Sequence, residues 1–289
     1  MADIKKSAGG VPVVRFDFGA RTHIGGETLQ VQEDGIMEYS FDEKNSVEMF
    51  AVLDGGGSTE NLPHAEELIM YHMRTMMQYI YKNLGHDKFI KNIPNWLEIS
   101  VNVCNNVIGG FKMKNDENKF MDFGASMTAA VLYGNTMYFV HSGNTRMYRL
   151  RNGKILQMTH DQTKAYDAVQ KGFLGINDYY ASPDRYALTG GIYGGLAMFD
   201  DDIFHPNLGR AVMRKDDIYC LTSDGIHFVV NENAIREIIL ESQSCDAAAG
   251  NLIEAARSLN TTDNVSAIVF RPLFYDSEDD VPSYETTVV

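Results

Sequence analysis

The chain has 289 residues, 44% of them apolar, with 15 each of Phe, Tyr and Met, which is enough for one large two-layer domain with its own core and excludes a wholly disordered polypeptide. Its 25 Lys and Arg against 39 Asp and Glu give a formal net charge of -14, an average field that repels phosphate backbones and anionic lipid surfaces, so neither nucleic acid nor membrane is expected as a partner. Cys104, Cys220 and Cys245 lack CxxC spacing and read as reduced core thiols of a cytoplasmic protein.

Residues up to Pro12 read as a loose lead-in with no signal-type apolar stretch, and no apolar run in the chain is long enough to span a bilayer. The run Val47 to Leu53 stops at Asp54-Gly55-Gly56-Gly57, as a buried strand delivered into a loop would. A helix is predicted from Pro63, with Ile69, Met73, Met76, Met77, Ile80, Tyr81 and Leu84 on one face and Gly85 as its stop. A second opens near Pro94, carries Leu97, Val101, Cys104 and Ile108, and is expected to break at Gly109-Gly110. The period then changes: Met127 to Tyr133, Met137 to His141, Arg146 to Leu150 and Ile155-Leu156 read as strands of one antiparallel meander, the last pair joined through Asn152-Gly153.

Residues 161–210, rich in Gly and Asp, give no clear period. Ile218 to Leu221 is a short strand running to Ser223-Asp224-Gly225. Helices follow over Ala234 to Leu240, with Asn231 as cap, and Asp246 to Leu259, with Ser244 as cap, and the final strand is Val265 to Phe270. The reading gives a single domain over 1–272 and an acidic, disordered tail over 273–289.

Asp54 and Asp224 each end an apolar strand and Asp263 precedes one. A carboxylate at the edge of a core is costly unless a cation or donors compensate it, so convergence of the three would suit Mg²⁺ or Mn²⁺. Taken singly, each Asp-Gly is also an ordinary turn dipeptide.

Their order, with the segments between, resembles the metal-dependent protein phosphatase family (type 2C serine/threonine phosphatases) from about Phe16 to about Arg271. The matching blocks are Gly19-Ala20-Arg21, Phe50 to Gly57, Gly124 to Ala130, Gly143 to Tyr148, Leu156 to Asp161, Leu221 to Ile226 and Thr262 to Ser266. The resemblance implies an α+β fold, a central antiparallel β-sandwich flanked by helices on both sides in four αββα layers. It implies a site with two Mg²⁺ or Mn²⁺ ions in which Asp54 bridges, Gly55 adds its carbonyl, Asp224 and Asp263 complete one shell, and Arg21 grips phosphate. The implied activity is hydrolysis of phosphoserine and phosphothreonine in proteins by a metal-activated water, with phosphorylated proteins as substrates and a serine/threonine kinase as a possible counterpart.

The match departs from the family at three places. Where an acidic pair usually follows the Arg block, the sequence reads Ile24-Gly25-Gly26, so either Glu27 substitutes by a one-residue shift or that metal loses its support. Gly143-Asn144-Thr145-Arg146 has an amide in place of the family's Asp, and Gly56 stands where many members carry His. His141 and His227 lack metal-ligand spacing and read as structural. An active phosphatase and a pseudophosphatase that binds phosphoproteins or regulates are therefore both carried forward, and an unrelated α/β protein with coincidental Asp-Gly turns stays as the remote third reading.

Overall fold

The computed structural model describes residues 13–26, 29, 31–43, 45–58, 63–115, 122–195, 204 and 206–276. Two five-stranded sheets, antiparallel in every pair, face each other. One has the order β1-β10-β9-β6-β7, from Val13–His23, Val265–Tyr275, Ile218–Thr222, Arg146–Arg151 and Lys154–Gln157. The other runs β2-β3-β4-β5-β8, from Asp34–Asp42, Val47–Gly56, Gly124–Tyr133, Thr136–Ser142 and Asn207–Val212. Helices α1 (Ala65–Leu84), α2 (His86–Ile90) and α3 (Ile93–Lys114) accompany the second sheet, and α7 (Glu232–Glu241) and α8 (Cys245–Ser258) cover the first. The short α4 (Lys164–Gln170), α5 (Ile176–Tyr179) and α6 (Asp224–His227) lie between strands in the chain. This is the helix-flanked antiparallel sandwich expected from the sequence.

Strand parity explains why the central strands read as unbroken apolar runs. Along β3, Met49, Ala51 and Leu53 face α1 and α3, while Phe50 and Val52 face the other sheet. Along β10, Ala267 and Val269 lie under α7 and α8, and Ile268 and Phe270 join the inter-sheet core, where Phe270 stacks between Phe50 and Tyr219. Both faces are buried, so alternation disappears.

Several boundaries differ from the sequence reading. The predicted meander is divided: β4 and β5 stay in one sheet, whereas β6 and β7 belong to the other. The switch occurs at Gly143, whose φ of 104° and close approach to Ser126 exclude a side chain. Helix α3 runs through Gly109-Gly110 to Lys114, because its backbone bonds are intact there and Gly109 serves close packing against Gly194. The last strand continues past Pro272 to Tyr275, paired with β1 down to Val13, so the tail does not begin at residue 273. Pro272 is tolerated because β9 pairs with β10 only as far as Phe270, leaving that side of Pro272 without a ladder bond to make. Residues 277–289, assigned to a disordered tail, and Glu27 lie outside the described residues. Cys104, Cys220 and Cys245 are free and buried, and among the described residues no helix is long and apolar enough to cross a membrane.

Candidate functional site

The inner faces of the sandwich turn from apolar to polar at one end. Phe50 and Val52 are followed in parity by Asp54, Ile36 by Asp34, Phe270 and Ile268 by Ser266, Ala20 by Thr22, and Ala130 by Thr128 and Ser126. Asp34 pairs directly with Asp54 in the β2–β3 register. Asp224 begins α6 just after β9, and Asp263 lies in the loop that enters β10.

These four carboxyl groups act on one another electrostatically. Burial first, and then the charges of Asp224 and Asp263, push the Asp34 carboxyl up to about 8, against the pull of hydroxyls from Ser223, 2.7 Å away, and Ser266. Asp54 is raised well above the usual carboxylate range by burial and then by Asp34 and Asp263. Asp224 is raised by burial and by Asp54 and Asp263, and Asp263 is raised chiefly by burial. The Asp54 and Asp224 carboxyl groups act directly on each other.

Neighbouring groups hold this end in shape. Asn144 Nδ2 donates to Asp224 Oδ2 at 2.9 Å, while its Oδ1 accepts from Ser126 Oγ at 2.8 Å. Asn264 gathers the β1–β2 connection: its Nδ2 donates to the Ile24 carbonyl at 2.8 Å and the Val31 carbonyl at 3.2 Å, and its Oδ1 accepts from Glu33 N–H at 2.8 Å. Gly55 N–H donates to the Glu33 carbonyl at 2.9 Å, and a Cβ at Gly55 would fall 2.6 Å from both that carbonyl and Glu66 Oε2. Glu66, in the first turn of α1, has its Oε2 buried without a partner and its carboxyl pushed up to about 7, mainly by burial.

Of the residues singled out in the sequence, Asp54, Gly55, Asp224 and Asp263 come to this one end of the sandwich. Arg21 does not. Thr22 faces inward to Ser266 at 2.8 Å, so its neighbour Arg21 points to the outer face, where it donates to Asp246 Oδ2 of α8 at 2.6 Å. Ile24-Gly25-Gly26 supplies no acidic pair, and the carboxylate that the β1–β2 connection brings opposite Asp54 is Asp34, at the head of β2. The available signal was Asp34 at the head of a strand beginning Asp34-Gly35-Ile36-Met37. His141 and His227 are buried: His141 Nδ1 meets Thr128 Oγ1 at 3.0 Å and its Nε2 the His160 carbonyl at 3.0 Å, whereas His227 Nδ1 meets Thr222 Oγ1 at 2.9 Å and its Nε2 is buried without a hydrogen bond.

The donor set fits a hard divalent cation: clustered carboxylates with raised pKa values, and an orphaned carboxylate oxygen on Glu66 beside Gly55. As the side chains stand, no three His, Cys, Asp or Glu among the described residues are in metal-holding geometry.

No family model matches the chain. It is 30% identical over 153 residues to the serine/threonine protein phosphatase PstP of Mycobacterium tuberculosis, covering 53% of this chain and 28% of that protein. It is 27% identical over 235 residues to the probable protein phosphatase 2C 55 of Oryza sativa subsp. japonica, covering 78% of this chain and 58% of that one. The chain thus spans less than two thirds of the length of these curated relatives. In fold it is similar to the catalytic domain of PstP solved with 2 manganese ions, at a TM-score of 0.71 and 22% identity over 90% of this chain and 99% of that one. Sandwich, acidic end and sequence likeness together define a type 2C phosphatase-like protein. In sequence and in fold the chain is similar to metal-dependent, type 2C protein phosphatases.

Proposed function

We propose that this protein is a Mg²⁺- or Mn²⁺-dependent phosphatase acting on phosphoserine and phosphothreonine in proteins. The observation that carries the reading is the packing of Asp34, Asp54, Asp224 and Asp263 at one end of the sandwich, an arrangement costly in itself and favourable once cationic charge is added. Asp54, Asp224 and Asp263, with Asp34 and the Gly55 carbonyl, would hold the ions. Bound divalent ions supply Lewis-acid charge for a phosphoryl group and acidify water.

The chain's own part is positional. Asn144 fixes Asp224, Asn264 fixes Glu33 and so the approach to Asp34, and the absence of a Cβ at Gly55 lets β3 pass between Glu33 and Glu66. The thiols are poor nucleophile candidates: Cys104 and Cys245 are pushed up to about 12 by burial and Cys220 higher still, which leaves direct attack by water as the reading.

A second reading, a pseudophosphatase that captures phosphoproteins, has one observation in its favour: Arg21 is engaged with Asp246. Calorimetric titration with Mn²⁺, run beside phosphate release from a phosphoserine peptide, separates the two. Metal uptake with turnover is expected; metal uptake and peptide binding without turnover would replace the enzyme with the binding module.

A further inference from the structure

A cleft of about 490 Å³ opens beside the carboxylate cluster, lined by Gly56, Gly57, Asp122, Tyr186 and Tyr193 among others. Its walls raise a problem for a phosphate monoester. Asp122 lines it and Asp54 and Asp224 act on its Tyr193, the cation stacked on its Tyr186 is Arg185, which is already bonded to the Tyr186 hydroxyl, and the arginine expected to grip phosphate is on the far side of β1. Cations can offset part of that repulsion, but a phosphoryl group also needs donors for its oxygens.

Tyr193 is placed to be one. Its backbone is fixed on both sides: Ile192 N–H donates to the Ala125 carbonyl at 2.8 Å, the Ile192 carbonyl accepts from Ala125 N–H at 3.1 Å, and Gly194 N–H donates to Asn105 Oδ1 at 2.8 Å. The ring sits in a slot made by two glycines, since a Cβ at either Gly124 or Gly191 would run into Tyr193 ring carbons. Lys112 Nζ lies 5.6 Å from the ring centroid. The phenol is kept protonated, and so a donor, by burial and then by the charges of Asp54, Asp122, Asp224 and Glu33.

We propose that Tyr193 is a substrate-contacting residue whose hydroxyl donates a hydrogen bond to a non-bridging phosphoryl oxygen in this cleft, supplying a neutral donor where Arg21 does not reach. The inference rests on the phosphatase-type reading of the same site. It implies that the phenol of Tyr193 is one of the groups by which the cleft recognises a phosphate monoester.

Tyr193→Phe keeps the ring in its slot and removes only the hydroxyl. Inorganic phosphate binding to the Mn²⁺-loaded protein should weaken about tenfold, the size expected for one hydrogen bond to a charged group. The kcat/KM for a phosphoserine peptide should fall by a similar factor, with melting temperature and Mn²⁺ affinity unchanged. Wild-type phosphate affinity in Tyr193→Phe overturns the assignment whatever the turnover. A wild-type protein that binds phosphate without hydrolysis, and loses that binding in Tyr193→Phe, supports the contact and overturns the enzyme. A wild-type protein that binds neither Mn²⁺ nor phosphate overturns both.

Discussion

Asp34 and Asp54 stand directly opposite one another across the β2–β3 ladder, with Ile36 and Val52 behind them in the core between the sheets. Two carboxylates in that relation destabilise the metal-free protein. The unfolded Asp34 loses its proton near its ordinary value of 3.8, while the folded one keeps it to about 8, so the unfolded state binds fewer protons in between and stability falls as pH rises through that window. Asp34→Asn should therefore raise the melting temperature of the metal-free protein at pH 8 and above, and lower Mn²⁺ affinity by about tenfold or more in calorimetry. A variant that binds Mn²⁺ as wild type does would remove Asp34 from the metal set.

Asn144→Asp replaces a donor to Asp224 by a second carboxylate facing it. Without metal the variant should lose about 2 kcal/mol in urea unfolding, the cost of exchanging a buried hydrogen bond for an unsatisfied group. With Mn²⁺ the order should reverse, because the added anion strengthens cation binding. Equal Mn²⁺ affinities in calorimetry would count against any cation near Asn144.

Arg21 and Asp246 form an exposed pair, with side chains 49% and 54% accessible. Solvent screens such a pair, so Arg21→Ala should cost under about 1 kcal/mol. Turnover of a phosphopeptide should stay within about twofold of wild type, whereas a loss of several hundredfold would return Arg21 to the site.

His141 is buried, and desolvation holds its imidazole down at about 4. The unfolded histidine takes up a proton near 6.5 and the folded one does not, so the stability it contributes is complete above pH 6.5 and is lost as pH falls towards 4. The loss should approach about 3 kcal/mol at pH 4. His227, also shifted downward, adds to the same slope. Urea titrations of His141→Gln across this range should show a shallower slope than wild type, and an unchanged slope would assign the effect elsewhere.

The apolar half of the fold was legible because burial leaves a period: the helix face from Ile69 to Leu84 and the caps Asn231 and Ser244 needed only local sequence. Strand β1 carries a period as well, with Phe16 and Ala20 packing inward and Arg15 and Arg21 on the opposite parity, but Gly19 and the charged residues between them leave no unbroken apolar run. The position of Glu33-Asp34 was not readable by counting. Ile24, Val31 and Glu33 are gathered by the side chain of Asn264, more than 200 residues away in the chain, and no local pattern encodes a loop closed at that distance. Tyr193 was equally silent, since what marks it is a pair of glycines meeting its ring in space.

Arg146 and Asp161 bind through two nitrogen–oxygen contacts of 2.8 and 2.6 Å, with side chains 3% and 0% exposed, and Tyr179 hydroxyl also donates to Asp161. This fastening joins β6 to the segment carrying α4 and α5. The segment's amide protons should consequently exchange with solvent as one cooperative block, since separating a buried guanidinium from its carboxylate has no partial stages of low cost. Arg146→Lys would keep the charge but lose the fork, and the same block would then exchange faster while the sandwich beneath it kept its own rate.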